Sequence, residues 1–190
     1  MRKLMELLIV LIFVVIFSGC AGMHYRTGES YLKQQKYPEA INSLETALEK
    51  NPGYPKAHTL LGIAYYKTEM YEQAISELKV AKELQISDKR ARLFLGMAYL
   101  KYGKTDDTII EWGSHLDISP YDNVSGILQK NITVLKSGEI LPETVDLMTS
   151  SIETVIAQED RISDVVPYYR VNRSFGYRHG YYHHGFFGCD

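Results

Sequence analysis

Four side chains near the C-terminus could hold a metal: His179, His183, His184 and Cys189, all within PYYRVNRSFGYRHGYYHHGFFGCD, which begins at Pro167. Imidazole and thiolate donors suit a divalent metal such as zinc, copper or nickel, but a glycine-rich run permits such spacing without requiring it. The same stretch is rich in Tyr, Phe, Gly and Arg, holds one acid, Asp190, and shows no helical period. It also fits a flexible adhesive tail that uses aromatic and arginine side chains on a partner or on lipid headgroups, which is the reading favoured over a metal site, or a short hairpin. The other cysteine, Cys20, follows Ser18-Gly19 at the end of an apolar run. No catalytic constellation is present. The chain lacks H-E-x-x-H, a phosphate-cradling glycine-rich loop, G-x-S-x-G, C-x-x-C and C-x-x-C-H. Its acids scatter at helix-surface spacings, so no enzyme is expected and no cofactor beyond a possible metal on the tail.

The run before Cys20 supplies a targeting signal. Arg2 and Lys3 make a basic start, and Leu7 to Phe17 are apolar for eleven residues. A membrane-spanning helix needs about 20 such residues, so this run is too short for an ordinary span. A basic start, a short apolar stretch and small residues match a secretory signal. The Gly19–Cys20 step resembles the bacterial lipobox, which implies diacylglyceryl transfer to the Cys20 sulfur, cleavage before it and acylation of the new amino terminus. Several acyl chains at about 0.8 kcal/mol per buried methylene anchor firmly. Ala21 stands where an Asp would resemble an inner-membrane retention signal, so the resemblance points to the outer membrane, with the protein facing the periplasm. Losing residues 1–19 removes Arg2, Lys3 and Glu6 from 21 basic and 23 acidic side chains, leaving 19 against 22. That near-neutral balance gives no reason to expect nucleic acid. With Cys20 lipidated, Cys189 has no partner in the chain, and the fold cannot depend on an internal disulfide.

The chain then repeats itself. Gly28, Gly62 and Gly96 stand 34 apart, as do Tyr31, Tyr65 and Tyr99. Tyr37 recurs as Tyr71, Ala40 as Ala74, Ala47 as Ala81, and Leu44 as Leu78, with Trp112 in the third copy of that column. This pattern resembles the tetratricopeptide repeat, most completely in LLGIAYYKTEMYEQAISELKVAKEL, Leu60 to Leu84. The resemblance implies antiparallel helix pairs, an all-α solenoid of about three units at 21–54, 55–88 and 89–120. The residues agree: small Gly28/Ala40 and Gly62/Ala74 pairs suit close helix crossings, and Tyr and Leu recur at three- and four-residue spacings. Pro38 sits where its missing N–H costs nothing, and Thr105-Asp106-Asp107 offers capping oxygens at the equivalent turn. Thr105, Thr108 and His115 replace Tyr, Ala and Ala, which predicts a looser third unit. Beyond Pro120 the signature fades while helical periodicity continues. Val124, Ile127, Leu128, Ile132 and Leu135 form one face, and Leu141, Val145, Met148, Ile152, Val155 and Ile156 form another. A degenerate helix pair over 121–158 would cap the array, leaving a flexible tail at 159–190.

The first helices of such repeats line a concave groove that, in the family, takes extended peptides or partner helices. Stepping by 34 residues puts Leu32, Tyr66 and Leu100 in one column and Lys33, Lys67 and Lys101 in the next, with Leu60, Ile63, Phe94 and Met97 around them. The groove is greasy with a basic edge. It departs from the carboxylate clamp of chaperone-binding relatives, since Tyr25 and Glu29 occupy two of its places. Two readings remain open: an external ligand with apolar anchors and acidic flanks, or the protein's own later helices filling the groove. The function expected is a lipid-anchored envelope adaptor or scaffold whose partner is another envelope protein or peptide segment. The alternative is a metal-handling lipoprotein that presents the His-rich tail.

Overall fold

The computed structural model describes residues 21–138 and 140–165, and every regular element among them is helical. Three antiparallel pairs follow one another: α1 (Ala21–Lys33) with α2 (Tyr37–Lys50), α3 (Pro55–Lys67) with α4 (Tyr71–Leu84), and α5 (Lys89–Lys101) with α6 (Thr105–Ile118). Each pair packs on the next, α2 against α3 and α4 against α5, so the pairs stack as a solenoid. Two further helices complete the chain, α7 (Ser125–Leu135) and α8 (Pro142–Val165). The described residues are therefore all-α, with the helix pairs that the 34-residue period predicts. None of these helices is long and apolar enough to cross a membrane.

The turn inside each pair is the same device used three times. Lys36 N–H bonds the Tyr31 carbonyl and Gln35 N–H that of Leu32; Met70 and Glu69, then Lys104 and Gly103, repeat both bonds one and two periods later. This is a Schellman ending, which requires a left-handed residue. Gln35, Glu69 and Gly103 supply it at φ of 59°, 62° and 82°. The following helices gain no side-chain cap, because Lys36, Met70 and Lys104 occupy the cap positions. Thr105 therefore lies inside α6 rather than capping it. Asp106 and Asp107 instead place charge in its first turn, where the helix dipole favours acids.

Close packing explains the glycine column. A Cβ on Gly28 would lie 2.6 Å from Leu44 Cγ, on Gly62 2.5 Å from Leu78 Cγ, and on Gly96 2.3 Å from Trp112 Nε1. The carbonyls of Ala40 and Ala74 come next, at 3.3 and 3.2 Å. The glycines thus admit the large buried residue of the second helix as well as its backbone. The expected loosening of the third unit is not seen at its centre. Trp112 is fully buried and donates to the Leu93 carbonyl at 3.2 Å. Thr108 donates towards the Gly96 and Lys104 carbonyls, and His115 sits between the Lys89 carbonyl and the Asp122 carboxylate. Both buried polar replacements, Thr108 and His115, are bonded, so neither is left orphaned.

Units are tied to one another by buried polar pairs as well as by apolar contact. Thr59 donates to Asp88 at 2.7 Å while Asp88 caps α5 through the Arg90 and Ala91 amides. Glu111 takes Lys82 at 2.6 Å and Arg92 at 3.3 Å. His58 bridges Glu77 and the Pro52 carbonyl.

The end of the chain departs from the simple cap. α7 packs on α6 and buries Val124, Leu128 and Leu135. Its Asn131, part of an Asn-Ile-Thr triplet, is buried too. α8 continues to Val165, seven residues past the boundary placed at 158, so residues 159–165 are helix rather than tail. It also does more than close the array, because it touches α5 as well as α7 and reaches α3 through side chains.

Candidate partner groove

The concave side is built by α1, α3 and α5. Along α3 and α5, Leu60, Ile63, Tyr66, Phe94, Met97 and Leu100 are all buried, while Leu32 on α1 is half-buried. The Tyr66 ring meets the edge of Phe94 with centroids 5.7 Å apart and planes at 76°, and Tyr71 lies 6.0 Å away. Edge-to-face pairs of this kind add about 0.5–1.5 kcal/mol beyond the area they bury.

Much of this surface is already occupied. Met148, Thr149 and Ile152 of α8 are buried, and Met148 and Ile152 belong to the same continuous apolar cluster as the groove residues. Val145, Val155 and Ile156 flank them at helical spacings and pack against that cluster. The helix is fastened by charge at the groove's edge. Lys67 pairs with Glu153 at 2.9 Å and Lys101 with Asp146. The two acids are seven residues apart, about 10.5 Å along a helix, and the two lysines are one repeat apart. Farther along, Glu159 accepts from Asn123 at 2.5 Å. Leu141, grouped with the α8 face by sequence, is instead exposed. Of the two open readings of the groove, the structure displays the chain's own helix across α3 and α5.

The electrostatics follow from this seat. Burial, with the neighbouring Glu153 carboxylate, pushes the Tyr66 hydroxyl far above its ordinary titration range, so it remains a neutral donor. For Lys101, burial works against the charged form, but the Asp146 hydrogen bond and the charges of Asp146 and Glu153 outweigh it and raise the ammonium. At the other end of the groove, the Tyr25 ring packs against Tyr54 with centroids 4.8 Å apart and planes tilted by 36°. Its hydroxyl rises to about 12 through burial and the nearby Glu29. Lys33, the third rung, lies 4.0 Å from Glu29 on its own helix and has 69% of its side chain exposed.

The structure thus gathers the sequence-assigned groove residues on one side of α1, α3 and α5. Sequence reasoning missed Asp146, Thr149 and Glu153, the α8 side chains that meet them. The signal available was an acid pair at heptad spacing opposite lysines at repeat spacing. Cys20, and the metal candidates His179, His183, His184 and Cys189, lie outside the described residues.

Residues 28–69 match a family model described as the TPR repeat. No curated protein matches the chain by sequence. Among solved structures, the first TPR of Spaghetti (RPAP3) bound to the HSP90 peptide SRMEEVD is similar at TM-score 0.60 and 23% identity, over 64% of this chain and 96% of that one. The first TPR domain of human RPAP3 is similar at TM-score 0.59 and 22% identity, over 63% and 94%. The Yersinia enterocolitica type III secretion translocator chaperone SycD is similar at TM-score 0.57 and 13% identity, over 60% and 82%. At these identities the likeness concerns the fold, and the helical array described here has the fold of a tetratricopeptide-repeat domain.

Proposed function

We propose that this protein is a non-catalytic, lipid-anchored adaptor of a bacterial cell envelope, holding another envelope protein or peptide segment in its concave groove. One observation carries the reading: the groove already holds a polypeptide helix on an apolar floor, with Lys67 and Lys101 clasping its acids. A surface shaped for one amphipathic helix or extended segment suits another of the same chemistry, by burial of apolar anchors with charge at the edge. The similar Spaghetti structure holds SRMEEVD, a short peptide with one methionine and three acids, which supports a peptide or protein as the ligand class. Lipidation at Cys20 and a site facing the periplasm of the outer membrane rest on the Gly19–Cys20 sequence, the short apolar run before it and Ala21.

Two measurements test this. Intact mass of the membrane-extracted protein should show a chain starting at Cys20 with acyl groups attached, and Cys20→Ser should remain soluble or unprocessed. A photo-crosslinking residue in place of Lys33, on the exposed rung, should capture one discrete envelope protein, and Lys67→Glu with Lys101→Glu should abolish that capture. An unmodified mature chain removes the anchor. Capture that is unchanged by both charge reversals removes the groove.

A further inference from the structure

The position of α8 is more specific than a cap requires. α7 already covers α6, the last helix of the third unit. α8 then follows a link of six residues, 136–141, that includes Gly138 at φ 129°. Its sequence, PETVDLMTSSIETVIAQEDRISDV, carries six acids and one basic residue, Arg161. It is an acidic amphipathic helix lying on a basic-edged apolar groove. Its charged fastenings are those of a removable part. Asp146 keeps 72% of its side chain exposed, and Lys67 and Glu153, though partly covered, keep 25% and 35% of theirs in solvent. Pairs still reached by water gain little over hydrated charges and are screened by salt. The outer side of α8 also carries Leu147, 70% exposed, which contributes nothing to the core.

We propose that the groove is a receptor for an acidic amphipathic helix with two carboxylates seven residues apart, and that α8 is the resident occupant which a partner helix of that chemistry displaces. This rests on the groove being the partner site. The partner helix would present a Met/Ile/Val stripe at the Val145, Met148 and Ile152 spacings, with acids where Asp146 and Glu153 stand. Displacement sets an affinity cost, because a tethered occupant competes at an effective concentration in the millimolar range for a short flexible link. A ligand that binds only the open form loses affinity by the fraction open, so a groove 99% filled weakens it about 100-fold.

The test uses the full mature chain and a fluorescent 24-residue peptide with the α8 sequence, 142–165. In wild type the peptide should bind only weakly. Asp146→Lys with Glu153→Lys in the chain should loosen the resident helix and tighten peptide binding at least tenfold, while added Lys67→Glu and Lys101→Glu should return it to wild-type weakness. Hydrogen exchange on the wild-type chain gives a second reading that does not need the variants to fold. Amides of α8 should exchange faster than those of α3 and α5, and faster still with excess peptide. Equal peptide binding by wild type and the loosened variant overturns the proposal, as does α8 exchange that opens only together with α3 and α5. A concentration-dependent dimer of the wild-type chain would also overturn it, since a second copy's α8 would then be the occupant. If Lys33 crosslinking still captures its protein while the peptide fails, the groove reading stands and the role of α8 falls. If both fail, the groove reading falls with it.

Discussion

Replacing Gly96 by alanine adds one methyl group at the tightest crossing in the array. That carbon would lie 2.3 Å from Trp112 Nε1 and 2.4 Å from Cδ1. A buried, rigid indole cannot swing aside as a flexible side-chain tip can, so either Trp112 gives up its 3.2 Å bond to the Leu93 carbonyl or α5 and α6 part. Overpacking costs about 1–3 kcal/mol and a lost buried hydrogen bond about 0.5–1.5, while a helical glycine-to-alanine change returns about 0.5–1. The net is about 1–3 kcal/mol of destabilisation. For a domain of this size that corresponds to roughly 2–4 °C of melting midpoint per kcal/mol. Gly113→Ala in α6 is the matched control, because its Cβ would meet nothing within 4 Å, and it should gain about 0.5–1 kcal/mol. Trp112 is the chain's single tryptophan, so its fluorescence reports on the contact directly. A Gly96→Ala protein with unchanged midpoint and unmoved emission would refute the packing.

Glu69→Gly should stabilise by about 0.5–1 kcal/mol, because a left-handed backbone at φ 62° strains any residue with a Cβ; thermal melting checks the sign. Glu111→Ala should cost about 1–3 kcal/mol in a urea titration by leaving Lys82 and Arg92 facing each other without their shared carboxylate. Asp122 governs part of the acid limb. Burial alone would raise its carboxyl, but hydrogen bonds from Ser125 and Lys89 and the adjacent His115 bring it below the ordinary value. Its contribution is therefore complete above an unfolded value of about 3.9 and is lost as pH falls through the lower folded one. Asp122→Asn should flatten the dependence of melting midpoint on pH below about 4.

The solenoid was legible because its signal is repeated. Each copy restates the same crossing, so Gly28, Gly62 and Gly96 confirm one another, and the columns of Leu44, Leu78 and Trp112 identify what they accommodate. Features that no column of like residues marks were harder. The Schellman turns depend on hydrogen bonds around Gln35 and Glu69, residues that do not advertise a left-handed backbone, and only Gly103 carries the usual mark. The polar residues of the third unit read as weak matches to the repeat. Thr108, Glu111 and His115 work because partners from sequence-distant positions, Gly96, Arg92 and Lys89 among them, meet them in the folded state.

α8 shows most clearly where periodicity stops being informative. Val145, Met148, Ile152, Val155 and Ile156 state that one side of the helix is covered, and a cap and a groove filler require the same stripe. Charge separates the two. A cap at the end of the array would have no need to match lysines on α3 and α5, which lie on the concave side. The pairing of Glu153 with Lys67 and of Asp146 with Lys101 couples an intrahelical heptad to an inter-repeat step. Any ligand of this groove meets the same two lysines, so resident and visitor compete for the same charges. Reversing the acids of α8 and reversing the lysines should therefore act in opposite directions on partner binding, the first increasing it and the second abolishing it. A helix that served only as core would give a different result: both reversals would lower stability, and neither would raise affinity for anything.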